Sequence, residues 1–208
     1  MEGDRALTYM MLDWDIVTVL PAIAYRVLLQ AGLFRRWDTR PSQKGKGCHQ
    51  PLMPHEHWHS DISYLNICAT FYYLISVLHG YSRYVLHFDI RRSMTELGVE
   101  FVLQRARELY PEARPRIISD HRPQFVAKEF KAFMRPSSMT HIRTSPYYPQ
   151  SNGKLERFHR TLKQEGLRPR MPVSLEDALR IVAEFVEYYN TQRLHSALGS
   201  ITPADKMV

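Results

Sequence analysis

Three strand-like runs follow one another between His59 and Asp89, and then helix, strand, helix and strand alternate as far as Thr144. The runs His59 to Asn66, Phe71 to Leu78 and Arg83 to Asp89 are rich in β-branched and aromatic residues, and His79-Gly80-Tyr81 supplies a hairpin turn between the last two. Ser93 to Tyr110 is a predicted helix with Leu97, Phe101 and Leu109 among its apolar positions. Arg116 to Ser119 is a predicted fourth strand, and Thr140 to Thr144 a fifth. Between them, Gln124 to Met134 reads as a helix with Phe125, Phe130, Phe133 and Met134 as its core stripe. Three antiparallel strands followed by that alternation predict an α/β domain.

A block downstream of these elements carries the candidate chemistry. Ser145-Pro146-Tyr147-Tyr148-Pro149-Gln150-Ser151-Asn152 is a proline-rich loop, and Ser151 or Asn152 can cap the helix that follows. Leu155, Phe158 and Leu162 recur at helical spacing and predict its buried face. Glu156, Arg160 and Lys163 fall at i, i+4 and i+7, so one carboxylate and two cations share another face. Such a stripe is ordinarily a solvated row of ion pairs. Two further acids change that reading. Asp120 closes the apolar run Ile117-Ile118-Ser119, and Asp61 lies within Trp58-His59-Ser60-Asp61-Ile62-Ser63-Tyr64, with 35 residues between Asp120 and Glu156.

Charge supports a polyanionic partner. Lys and Arg outnumber Asp and Glu by 28 to 21, and the isoelectric point is near 9.5. The excess is concentrated from His141 to Arg170, where seven cations face only Glu156 and Glu165, which favours a phosphate-binding surface. Two cysteines, Cys48 and Cys68, make no disulfide framework and suit a reduced cytoplasmic setting. No signal peptide is visible, because Asp13, Asp15, Pro21 and Arg26 interrupt the apolar N-terminal stretch. The longest apolar run, Ile67 to Leu78, has 12 residues, short of the ~20 a membrane helix needs. A soluble protein is expected.

These residues carry a family resemblance. The chain is similar to the D,D,E transposases of bacterial insertion sequences, whose catalytic core resembles retroviral integrase. The matching pieces are Trp58 to Tyr64, Ser119-Asp120 with Gln124-Phe125, and Ser145 to Arg160. Behind them come Tyr189-Asn190-x-x-Arg193-x-His195-Ser196-Ala197-Leu198 and Thr202-Pro203-Ala204-Asp205. The resemblance implies a ribonuclease-H-like fold, a mixed five-stranded sheet flanked by helices, over residues 57–168. Residues 169–208 would complete that core with a C-terminal helix, for which Ser174 and Asp177 form a capping box and Leu175, Leu179, Val182, Val186 and Tyr189 an apolar stripe. It further implies that Asp61, Asp120 and Glu156 are catalytic and hold two Mg²⁺ or Mn²⁺ ions, hard cations that prefer carboxylate oxygen. Tyr147, Tyr148, Gln150, Asn152, Lys154, Arg157, Arg160 and Lys163 are the candidate DNA contacts. The implied activity is cleavage of an insertion element's DNA ends and their transfer into target DNA, by a nucleoid-associated cytoplasmic protein that self-associates on DNA.

The N-terminal third is read separately. Residues 1–37 are predicted helical, with Asp15 to Leu20 as one short helix, Pro21 opening the next and Gly32 ending it. Tyr25 to Leu33 resembles the recognition helix of the helix-turn-helix region that precedes the core in this family, here shortened; a plain helical hairpin is the other reading. Residues 38–56 read as a linker.

Two alternatives stand beside the transposase reading. Arg122 occupies a position where the family usually has Gly, and with the short N-terminus it motivates a DNA-binding remnant without catalysis. His57, His59 and Asp61 alternate on one strand face and, with Cys48 and His55, make a candidate zinc-hydrolase set that lacks a matching second ligand group downstream.

Overall fold

The computed structural model describes residues 4–33, 50–120, 122–126, 128–137, 139–143 and 152–207. At its centre lies strand β1, His57–Ile67. It pairs antiparallel with β2 (Thr70–His79), which pairs antiparallel with β3 (Val85–Arg91). On its other edge β1 runs parallel to β4 (Arg116–Ser119), which runs parallel to β5 (Thr140–Arg143). The order β3-β2-β1-β4-β5 is the mixed five-stranded sheet expected from the sequence. The parallel pairs need crossovers, and the helices supply them.

Both faces of the sheet are covered. α3 (Glu96–Leu109), α4 (Pro123–Val126) and α5 (Lys128–Met134) pack Val99, Val102, Leu103, Phe125 and Phe130 onto Trp58, Ile62, Ile75 and Ile117. On the opposite face, α6 (Gly153–Thr161) and α8 (Leu175–Thr191) pack Leu155, Phe158, Ile181, Val182 and Phe185 onto Leu65, Leu74, Leu78 and Val85. Period-two alternation in β1 and β2 divides the side chains between these two cores. Thr95 caps α3, accepting from the Gly98 amide at 3.2 Å, and Ser174 caps α8, accepting from the Asp177 amide at 3.1 Å.

Several expectations are corrected. Leu97, Phe101 and Leu109 are 72%, 41% and 58% exposed; the buried face of α3 is Gly98, Val99, Val102, Leu103 and Ala106, a helical stripe set one residue round. The helix expected over Gln124–Met134 is described over Pro123–Val126 (α4) and Lys128–Met134 (α5), and Ala127 lies outside the described residues. Its predicted stripe holds, with Phe125 and Phe130 fully buried. Residues Asp15 to Leu20 are not helical: α1 is Asp4–Asp13, Asp15 has a positive φ of 53°, and α2 starts at Pro21 as predicted and ends at Gln30. Most of the predicted linker lies outside the described residues.

Beyond α6 the helix widens into a π-helical turn, Leu162–Leu167, before the short α7, Arg168–Arg170. Gly166 in that turn lies against α8, where an added Cβ would come within 2.9 Å of the Phe185 ring. Arg193 grips the same turn from behind, with Nε and Nη2 on the two carboxylate oxygens of Glu165 at 2.9 and 3.0 Å. Asn190 plays the part of a missing strand at the β3 edge: its Oδ1 accepts from the Val85 amide at 2.9 Å and its Nδ2 donates to the Val85 carbonyl at 3.1 Å. The closing motif of the sequence therefore holds α6, the π turn and β3 together. Among the described residues no helix is long and apolar enough to cross a membrane.

Candidate active site

Asp61 sits in the middle of the central strand, opposite Ser76 of β2, and is only 9% exposed. Its Oδ1 accepts from the Ile62 amide at 2.7 Å. The last paired residues of β1 and β4 are His59 and Ile118, and Asp61 and Asp120 each lie two residues further on, at the same end of neighbouring parallel strands. α6 crosses this end with its buried stripe on the sheet and leaves Glu156 exposed above it. Asp61 and Glu156 line one open cleft, together with Ser63, Tyr64, Arg122, His159, Arg160, Lys163, Gln164 and Arg168.

Asp61 senses the charges of the other two acids. Burial pushes the Asp61 carboxyl up to about 6, and the charges of Asp120 and Glu156 add to the rise, against the Ile62 amide and Arg122. A buried carboxylate crowded by two others in this way is a standing demand for positive charge. Two cations answer it. Arg122 donates from Nε to Asp120 Oδ2 at 2.8 Å and from its backbone amide to Oδ1 at 3.1 Å. Lys163 is half-buried in the cleft, where burial lowers its pKa and the Asp61 charge opposes that fall.

His159 escaped the sequence reading although it lies at i+3 from Glu156 and shares its face of α6. Its Nε2 is 2.7 Å from Ser76 Oγ and its Nδ1 3.8 Å from Asp61 Oδ2. Burial pushes the ring down to about 3, so it is neutral and the approach to Asp61 is no ion pair. The ring holds the floor of the cleft against Ser76 and Asp61.

The other candidate contacts divide. Arg160 and Lys163 line the cleft as the spacing implied, and the π turn brings Gln164 and Arg168 to it as well. Lys154 and Arg157 do not line it. Lys154 Nζ donates to the Gly80 carbonyl at 2.6 Å, and Arg157 lies toward Arg83 and His195. Asn152 stands at the N-cap of α6, but its side chain makes no capping bond and is 5% exposed, beside His59. Tyr147, Tyr148 and Gln150 lie outside the described residues.

The zinc set does not assemble. His57, His59 and Asp61 share a strand direction, yet among the described residues no three His, Cys, Asp or Glu side chains converge closely enough to hold a metal as they stand. His59 is buried and pushed down to about 3. Cys48 lies outside the described residues. Asp61, Asp120 and Glu156 likewise do not converge closely enough to hold a metal as they stand, and Asp120 is turned onto Arg122.

A mixed five-stranded sheet in the order β3-β2-β1-β4-β5, covered by helices on both faces, is the architecture of integrase-like cores. Two family models, both described as integrase core domain, match residues 51–149 and 137–203. Together they span residues 51–203, and the chain belongs to the integrase core domain family; among curated proteins it is similar to products of bacterial insertion elements. It is 27% identical over 156 residues to the uncharacterized 31 kDa protein of insertion element IS600 from Shigella sonnei, covering 74% of this chain and 57% of that one. It is 23% identical over 154 residues to the transposase for insertion sequence element IS904 from Lactococcus lactis, covering 73% and 61%. The chain thus spans little more than half the length of these relatives.

Solved structures show the ribonuclease-H-like fold. The HTLV-2 integrase catalytic core domain in complex with magnesium matches with a TM-score of 0.62 at 18% identity, covering 76% of this chain and 99% of that one. A chain of a simian T-cell lymphotropic virus intasome in complex with PP2A regulatory subunit B56 gamma matches with a TM-score of 0.67 at 20% identity, covering 91% of this chain and 67% of that one.

Proposed function

We propose that this chain is the catalytic part of a DNA transposase, and that Asp61, Asp120 and Glu156 are its D,D,E residues. The observation that carries the proposal is Asp61: a buried carboxylate on the central strand, raised by burial and by the charges of the other two acids, open to a cleft rimmed by Arg160, Lys163 and Arg168. DNA strands are the substrates, and the rim cations hold their phosphates.

The donor set fits hard divalent ions. Three carboxylates offer only oxygen, which Mg²⁺ and Mn²⁺ prefer, and the HTLV-2 core that shares this fold was solved in complex with magnesium. Asp61, Asp120 and Glu156 would hold the ions, two by the family resemblance, once Asp120 gives up Arg122. When bound, such ions neutralise charge on the attacking and leaving oxygens of a phosphodiester exchange. The chain's own residues do the rest. Arg160, Lys163 and Arg168 fix the phosphate backbone, and neutral His159 keeps the cleft floor in place without adding a competing charge. First a water attacks the phosphodiester at the element's end and breaks its P–O3′ bond, which frees a 3′-hydroxyl; that hydroxyl then attacks a target phosphodiester, whose own 3′-oxygen leaves as the new bond forms.

The test is strand transfer. With element-end duplex, target DNA and Mg²⁺, the protein is expected to nick and join, and Asp120→Asn to bind DNA without joining it. Unimpaired joining by Asp120→Asn would overturn the assignment. Joining by no form of a protein that still binds DNA would favour the non-catalytic remnant that Arg122 suggests.

A further inference from the structure

A second groove adjoins the carboxylate cleft across Tyr64 and Arg122, which line both. Its remaining walls are Tyr73, Arg92, Ser93, Met94, Pro123 and Gln124. Two cations and no carboxylate line it, the reverse of the cleft next door. Tyr64 and Tyr73 are cross-strand partners on β1 and β2, with ring centroids 5.3 Å apart and ring planes tilted by 53°. Tyr64 is 52% exposed although it sits in the central strand. The Arg122 guanidinium lies 5.5 Å over the Tyr64 ring. At the far wall, the side-chain oxygen of Gln124 is buried without a hydrogen-bond partner. An aromatic platform, an exposed arginine at the rim and an unsatisfied amide oxygen together suit neither an apolar ligand nor a rigid duplex. They suit one flat, polar-edged ring attached to a phosphate.

We propose that this groove seats an unpaired nucleotide of the DNA whose adjoining phosphodiester lies in the carboxylate cleft. The base stacks on Tyr64, whose ring is backed by Tyr73. Arg92 meets the nucleotide's phosphate, and Gln124 Oε1 accepts from an exocyclic amino group. The shared wall makes the path continuous: a strand leaving the cleft passes the Tyr64–Arg122 divide and enters the groove. This rests on the transposase reading for the cleft, and adds that the enzyme senses strand separation at the site of reaction. The nucleotide can come from a frayed element end or from distorted target DNA.

Fluorescence anisotropy with the intact chain in EDTA tests the groove without calling on catalysis. Three probes are used: a blunt duplex, the same duplex with a short 5′ single-stranded tail, and the same duplex with a central mismatched bubble, each unpaired segment carrying 2-aminopurine. The wild-type protein is expected to bind a probe with an unpaired segment at least about fivefold more tightly than the blunt duplex, the lower end of what one stacked base contributes, and to quench its 2-aminopurine. Preference for the tail assigns the nucleotide to the element end, and preference for the bubble to the target. Arg92→Ala, at an exposed position, is expected to remove that advantage while leaving its melting temperature and blunt-duplex binding unchanged. Tyr64→Leu is expected to abolish the quench, and Tyr64→Phe to retain it. Equal affinity for all three probes, or an Arg92→Ala loss equal on blunt and unpaired probes, overturns the proposal. The functional reading fails separately, through a Lys163→Ala variant that binds the blunt duplex as well as wild type.

Discussion

The Arg122 guanidinium and the Asp120 carboxylate are locked together two residues apart, at 2.8 Å from Nε to Oδ2. Each side chain is about a third exposed, at 32% and 33%, so the pair contributes little to stability. Its consequence is for the site: one of the three carboxylates is neutralised by the chain itself. Arg122 stands where the resembled family usually has Gly, and it competes with any cation that Asp120 would hold. Removing it is expected to tighten Mn²⁺ binding. By isothermal titration, Arg122→Gly should bind the ion up to about fivefold more tightly than wild type, the scale of an ion pair worth about 1 kcal/mol. Unchanged affinity would show that Arg122 does not stand in the ion's place.

Asp61 illustrates a site held against the preference of the fold. Its folded pKa, about 6, lies above the ordinary 3.8. A raised carboxyl pKa favours folding at low pH, and that contribution is lost as pH rises through about 6. At pH 8 without metal the ionised carboxylate therefore costs stability. Asp61→Asn keeps an acceptor for the Ile62 amide and drops the charge. Urea unfolding at pH 8 in EDTA is expected to show the variant more stable by about 1–3 kcal/mol, even though the proposed activity is lost. A less stable variant would contradict burial of the charge as the origin of the shift.

Acid should unfold the protein through its buried imidazoles. His79 and His195 are both pushed down to about 3 by burial. His79 Nε2 already accepts from the His55 amide at 2.7 Å, so a second ring proton has no place to point. A depressed folded pKa gives stability that is complete above the unfolded value of about 6.5 and is lost as pH falls toward 3. Stability measured at pH 7 and pH 5 is expected to fall by on the order of 1–2 kcal/mol for each such ring. His79→Gln should flatten part of that slope, and an unchanged slope would count against the assignment.

The π turn that presents the cleft cations has a single small residue at its tightest contact. Gly166→Ala would drive a methyl against the Phe185 ring, 2.9 Å away. A loss of about 1–3 kcal/mol is expected in thermal or chemical unfolding. Asn190→Leu is expected to cost a similar amount, because both backbone groups of Val85 lose their partner. A Gly166→Ala variant as stable as wild type would mean that the two helices part at this point without cost.

The strands and the main helical stripes were legible because alternation and helical spacing are written in the apolar residues themselves. Leu155, Phe158 and Leu162 are buried as their spacing implied. On α3 the largest apolar residues misled: packing close to the sheet takes the small Gly98 and Ala106, which leaves Leu97 and Phe101 outside. The carboxylates were legible only by resemblance, since no local pattern joins Asp61 to Asp120 or Glu156; β-pairing and the α6 crossover do that. Lys154 and Arg157 were assigned by charge, but at ~100° per residue they turn away from the Glu156 face. His159 and the Tyr64–Tyr73 groove were hidden because their meaning arises across strands and helices, where neither sequence spacing nor composition reports contact.

Asp61, Asp120 and Glu156 are proposed to act as one unit on DNA, and everything else about the site follows from that. Strand transfer of element-end DNA in Mg²⁺ tests it most directly, comparing wild type with Glu156→Gln, which keeps size and helix position and removes one charge. Joined product is expected from wild type, with a loss of at least about a hundredfold in Glu156→Gln and duplex affinity kept within about threefold. Joining by Glu156→Gln at the wild-type rate would contradict it.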